Sequence, residues 1–180
     1  MTQIDFSILY WIQDHIVCAA LTPVMKLFTT LGNGGILWII IGILLLFFKK
    51  TRSIGIASLL SLALVAILNN EIIKAIVQRP RPFTYVDIEL LITAPGGYSF
   101  PSGHTSSSFA AATAVFLKNK KLGAVLLVCA ALIGFSRMYF FVHFPSDVFV
   151  GMIEGILTAV AVTLLLDYAK KKAESTSGKL

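Results

Sequence analysis

Residues 33–52 read NGGILWIIIGILLLFFKKTR, an apolar run from Ile36 to Phe48 closed by Lys49, Lys50 and Arg52. A helix needs about 20 residues to cross roughly 30 Å of hydrocarbon. An apolar run that stops at a cluster of cations reads as a span ending at the cytoplasmic face. The rest of the chain agrees with this reading. Of its 180 residues 57% are hydrophobic and 13% charged, against about 45–50% and about 25% in soluble domains. The expectation is one all-α domain over residues 1–180, built as a polytopic helix bundle in a bilayer.

Working outward, residues 53–70 are uncharged for 18 positions, and their helix is expected to run through Glu71 and Lys74 to about Val77. Pro80 and Pro82 then stop it, because proline lacks the amide donor and clashes with the preceding turn. A polar connection, 78–102, leads to a span from Ser102 to Leu117, whose small residues (TSSSFAAATA) permit close helix packing. Further spans are expected over 122–141 and 145–167. The N-terminal 31 residues, with FSILYWIQDHIV, fit an interfacial amphipathic helix or a sixth, membrane-crossing one. The bundle therefore has about five to six spans. The N-terminus makes a poor secretory signal, since it lacks a basic start and Asp5, Gln13, Asp14 and His15 interrupt it. Cys18 and Cys129 lie in apolar segments without CxxC spacing and read as packed, inert thiols.

Ten of the 15 Lys and Arg fall at 49–52, 118–121 and 170–179, all on one side by span counting. The positive-inside rule makes that side cytoplasmic. The net charge of +6 is thus a topology signal and not a nucleic-acid footprint. Apart from Lys26, the remaining cations are Lys74, Arg79, Arg81 and Arg137, all at outer helix ends, together with His104, His143 and Asp147. Ionisable side chains in spans are costly and usually functional, and clustered Lys and Arg suit a phosphate.

FPSGHTSSS (100–108) reads as a capped helix start, with Ser102 as N-cap and an open backbone at Gly103. Free first-turn amides and the helix dipole make an anion site there, and His104 stands beside it. In HFPSD (143–147), Asp147 can accept a proton from one ring nitrogen of His143 and leave the other free to attack. KAIVQRPRP (74–82) adds Lys74, Arg79 and Arg81. Taken singly, each segment has a plainer reading: a capped helix, a helix-end ion pair, a headgroup-binding cluster. Glu71 is expected to pair with Lys74, and Glu154 to make a buried hydrogen bond.

Together, K-x6-RP (Lys74, Arg81, Pro82), PSGH (Pro101 to His104) and SR-x5-H-x3-D (Ser136, Arg137, His143, Asp147) resemble the three-part signature of the type 2 phosphatidic acid phosphatases. The resemblance covers roughly residues 60–165 and implies the helical core those enzymes share with vanadium haloperoxidases. It implies a metal-independent, cofactor-free hydrolase of lipid phosphates or diphosphates working through a phosphohistidine. His143 would be the nucleophile, Asp147 its orienting partner and His104 the general acid. Lys74, Arg81, Arg137, Ser102 and Gly103 would hold the phosphate, and Arg79, outside the motif, would be auxiliary. With the site outside the cytoplasmic membrane, undecaprenyl diphosphate is the expected substrate; phosphatidylglycerophosphate and phosphatidic acid are the alternatives. A transporter would show two related halves with interrupted helices, and no such repeat is visible. A lipid-binding module would have no use for both histidines.

Overall fold

The computed structural model describes residues 2–177, without the side chains of Thr2, Asn70 and Ser177. Regular structure among those residues is all helical: α1 (Thr2–His15), α2 (Thr22–Leu31), α3 (Ile36–Phe47), α4 (Arg52–Ile67), α5 (Lys74–Val77), α6 (Gly103–Lys118), α7 (Lys120–Tyr139) and α8 (Pro145–Ser177). A π-helical segment, Leu68–Ile73, joins α4 to α5 without a break, and Gln78 then ends the run in a left-handed conformation. The expected helix through Val77 is therefore present, with one wide turn inside it.

Among the described residues, three helical stretches are long and apolar enough to cross a membrane: Arg52–Thr84, Lys120–Tyr139 and Pro145–Thr176. There are four if Thr22–Leu31 and Asn33–Phe47, bent by 49°, count as one. The apolar surface points outward, as lipid requires. Phe47, Leu60, Val125, Val128, Leu157 and Leu164 are all exposed. The protein is an integral membrane helix bundle.

α6 is the axis. It packs against α4, α7 and α8, and Ser106, Ser108, Ala110, Ala112 and Ala114 are buried along it. At 16 residues it is only about 24 Å long; the bundle rather than lipid surrounds it. α8 lies almost backbone to backbone with α6. A Cβ at Gly155 would come within 2.4 Å of the Ser106 carbonyl oxygen, and one at Gly151 within 2.8 Å of that of Ser102. Trp38, 1% exposed, ties α3 to the same axis through its indole N–H to Ser108 Oγ, 2.9 Å. This close packing puts the N-termini of α6 and α8 side by side.

The N-terminal segment is two helices, not one. α1 and α2 have 14 and 10 residues, too short alone for about 30 Å of hydrocarbon. α1 packs on α7 and α8, burying Asp5, Leu9 and Ile12 while Ile4, Ile8 and Trp11 stay exposed. At the other end α8 runs to Ser177, past the expected 167. Lys, Ala and Glu propagate a helix readily in water. Cys18 departs from its expected burial: it is exposed, in the turn between α1 and α2, whereas Cys129 is half-buried.

Candidate active site

The turn after α7 sets the first wall. Phe141 takes a left-handed backbone (φ 57), and the amides of Val142 and His143 both donate to the Arg137 carbonyl, at 3.1 and 3.3 Å. His143 is thereby locked over the end of α7, and it is 2% exposed. Arg81 Nη1 lies 3.1 Å from His143 Nε2. A guanidinium only donates, so Nε2 carries a lone pair and the ring proton sits on Nδ1. That nitrogen faces Asp147 Oδ2 at 3.5 Å and Ser99 Oγ at 3.4 Å. Burial pushes the imidazole down to about 4, against the opposing pull of Asp147.

Asp147 is itself pinned. Its Oδ2 accepts from Ser99 Oγ and, at 2.9 Å, from the Phe144 amide. The latter is the reach-back of a third-position acid to the cap residue of α8. Asp147 thus caps α8 and faces the His143 ring at once. Oδ1 receives Arg79 Nη1 at 2.6 Å.

The second wall is the start of α6. Ser102 is the N-cap, its Oγ accepting from Thr105 Oγ1 at 2.9 Å, and its amide donates to the Asp147 carbonyl at 3.0 Å. That bond joins the two helix starts directly. The first-turn amides of Gly103 and His104 have no carbonyl to bind within the helix. A Cβ at Gly103 would stand 3.5 Å from Lys74 Nζ. His104 Nε2 donates to Asn33 Oδ1 at 2.9 Å, and its ring lies on Gly32, where a Cβ would sit 2.7 Å from Cδ2.

Lys74, Arg81, Gly103, His104, Arg137 and His143 line one cavity of about 500 Å³. Ser102 and Asp147, both fully buried, support it from behind. All eight site residues expected from sequence therefore meet at one place. Arg137 Nη1 donates to Thr29 Oγ1, and its Nε has no partner among the described residues. Arg81 gives three more of its five N–H groups to the carbonyls of Gly96, Gly97 and Val142, at 2.9, 3.1 and 2.9 Å. Away from the cations the cavity turns apolar, along Ile39, Leu59, Leu62, Ala63 and Ala66. It therefore extends between α3 and α4.

Several neighbours carried no obvious sequence signal. Ser99 and Asn33 sit in loops, where a lone polar residue is unremarkable. Asp5 had one: it shares the i, i+4, i+7 face of α1 with Leu9 and Ile12, and an acid on an apolar face needs a partner. Glu154 makes the expected buried bond, accepting from Asn69 Nδ2 at 3.0 Å.

Comparison with known proteins agrees with this fold. The chain is 38% identical over 120 residues to an undecaprenyl-diphosphatase of Sulfolobus acidocaldarius, covering 66% of this chain and 58% of that one. It is 34% identical over 151 residues to phosphatidylglycerophosphatase B of Bacillus subtilis, covering 76% and 71%. The chain spans about half the length of several curated relatives it matches, 58%, 46% and 56%. Its fold superimposes with a TM-score of 0.77 on the crystal structure of a transmembrane PAP2-type phosphatidylglycerolphosphate phosphatase from Bacillus subtilis. That match has 28% identity and covers 93% of this chain and 86% of the other. The PAP2 superfamily model matches residues 55–171, the stretch that holds all three motifs and both helix starts, and the chain belongs to that superfamily.

Proposed function

We propose that the protein hydrolyses a lipid phosphate or diphosphate by way of a phosphohistidine, with undecaprenyl diphosphate as the preferred substrate. One observation carries this reading: a single cavity has a cationic, two-histidine head and an apolar extension. The head suits a phosphate and the extension a lipid chain. In the first step His143 Nε2 attacks phosphorus while the bond to the leaving oxygen breaks, and His104 supplies that oxygen with a proton. Asp147 takes up the positive charge that grows on the ring. Lys74, Arg81 and Arg137, with the α6 amides at Gly103 and His104, hold the phosphoryl oxygens. In the second step His104 accepts a proton from water, which attacks phosphorus and frees His143 and inorganic phosphate. With its charge met in this way the phosphoryl group needs no metal.

The test is phosphate release by the purified protein from undecaprenyl diphosphate, phosphatidylglycerophosphate and phosphatidic acid, with EDTA present. Turnover should survive the chelator, and vanadate should inhibit by occupying the phosphate site. Undecaprenyl diphosphate should show the highest kcat/KM. Loss of all activity on chelation would count against the site; another lipid ranking first would overturn the substrate preference alone. The names of the relatives support undecaprenyl diphosphate and phosphatidylglycerophosphate alike.

The same reading puts the site outside the cytoplasm. The basic clusters lie at the bundle's other end, where Lys118 meets Asp167 at 2.5 Å. After replacing Cys18 and Cys129, a cysteine at Thr93, in the exposed part of the 78–102 connection, should react with an impermeant maleimide from outside intact cells. One at Ser175 should react only after lysis. The opposite pattern would invert the orientation. Of the residues between 83 and 100 in this connection, Pro95 lines the cavity, while Ile88 and Leu90 pack on Leu9, Phe141 and Phe144.

A further inference from the structure

We propose that Asp5, on the first helix, is a positioning residue for the reaction: it holds Arg79 from behind and so fixes the carboxylate that serves His143. This rests on the reading of His143 as nucleophile. None of the three motifs includes Asp5 or Arg79.

The contacts form a continuous chain. Arg79 Nη1 binds Asp147 Oδ1 at 2.6 Å, and Arg79 Nη2 binds Asp5 Oδ2 at 2.7 Å. Asp5 also accepts from the Ser146 amide at 3.0 Å and from its hydroxyl at 2.8 Å. That hydroxyl lies 2.7 Å from Arg79 Nη1, and the guanidinium rests on the Phe144 ring, 3.9 Å from its centroid. Asp5 is 4% exposed and Asp147 fully buried. A planar guanidinium with both terminal nitrogens bound and one face covered has a single orientation. Without Asp5 it would be held at Nη1 alone and could turn about that contact.

Charge points the same way. Arg79 stands between two carboxylates, so its positive charge is divided between them. Without Asp5 the whole of it would fall on Asp147. The carboxylate would then have less to offer the imidazole as positive charge grows on that ring. The effect belongs to the chemical step and not to substrate capture, because Arg79 and Asp5 lie behind Asp147 and do not line the cavity. It would also make catalysis depend on the seating of α1, the helix whose outer face shows Ile4, Ile8 and Trp11 to the membrane interface.

The experiment compares wild type, Asp5→Asn, Asp5→Glu, Arg79→Gln and the Asp5→Asn/Arg79→Gln double variant, in detergent, with undecaprenyl diphosphate and thermal unfolding alongside. Asp5→Asn should lower kcat about tenfold, the scale on which an orienting partner once removed is felt, with KM within about twofold. Asp5→Glu, which keeps the charge, should recover most of that loss. In the Arg79→Gln background Asp5→Asn should change kcat less than about twofold, since its route to the site is already cut. The proposal is overturned by an unchanged kcat in Asp5→Asn, by the same loss in both backgrounds, or by a loss that merely follows the unfolded fraction. A Glu variant as slow as Asn also overturns it. Wild type and His143→Ala run in parallel: inactivity of the first, or activity of the second, brings down the function proposed above and this inference with it. Asp5 results that fail while those two behave bring down this inference alone.

Discussion

His143→Ala is expected to lower phosphate release by about 10⁴-fold or more, the scale of removing a nucleophile from an otherwise assembled site. The variant should still fold. Asp147 keeps Arg79 at 2.6 Å and the Phe144 amide at 2.9 Å, so no buried charge is stranded. Loss would therefore report chemistry. Labelled substrate should leave no protein-bound phosphate on this variant, whereas wild type quenched in alkali should carry an acid-labile, alkali-stable label. The pH dependence has a definite sign. Burial holds the His143 imidazole at about 4, below the usual value of about 6.5. The neutral, nucleophilic form therefore persists as the pH falls through 6 and 5, and is lost only near 4. An acid limb of kcat that tracks a group near 6.5 would place the essential titration elsewhere. Near-normal activity in His143→Ala would remove the nucleophile assignment altogether.

The features that could be read from the chain are those that depend on local chemistry. Apolar runs ended by cations marked α3, α4, α7 and α8. Pro80 and Pro82 marked the end of α5, and Ser102 before Gly103 marked the start of α6 as a capped, anion-ready turn. The three motifs gathered eight residues that line or back one cavity. What stayed hidden depends on partners far apart in sequence. Asp5 interrupts an apolar face of α1 and was legible only as a flaw in that face; its meaning is Arg79, 74 residues on. Arg79 falls within K-x6-RP at a position the motif leaves open. The wide turn at Leu68–Ile73 has no propensity signal, because Leu, Asn, Glu and Ile suit an ordinary α-helix too. The apolar arm of the cavity lies between α3 and α4 because small residues, Gly34, Gly35, Ala63 and Ala66, line it there. Read as sequence, those residues look like ordinary membrane packing. In the connection at 83–100, Phe83, Val86, Ile88 and Leu90 cover the turn that carries His143, while Tyr85, Leu91 and Tyr98 stay exposed.

His104→Ala should lose about 10²–10⁴-fold in turnover, the range for general acid–base catalysis, and its loss should depend on the leaving group. His104 lines the cavity at the start of α6 while Asn33 holds its ring at 2.9 Å. In the proposed mechanism it has no part in forming the bond between His143 and phosphorus, and its task in the first step is to give a proton to the departing oxygen. A lipid alkoxide needs that proton badly, whereas the phosphate monoester that leaves a diphosphate and p-nitrophenolate both depart readily without it. The penalty should be large for phosphatidic acid and much smaller for undecaprenyl diphosphate and p-nitrophenyl phosphate. The second step is different, since water must be deprotonated whatever group has left. With p-nitrophenyl phosphate the variant should therefore release about one equivalent of nitrophenolate per protein in a burst and then slow. The phosphate should remain on His143 as a label well above the level that wild type carries. His143→Ala should show neither burst nor label, which separates the two histidines by what each leaves behind. An equal loss on all three substrates with no trapped phosphate would assign His104 to phosphate binding, beside Lys74, and leave the proton to another donor.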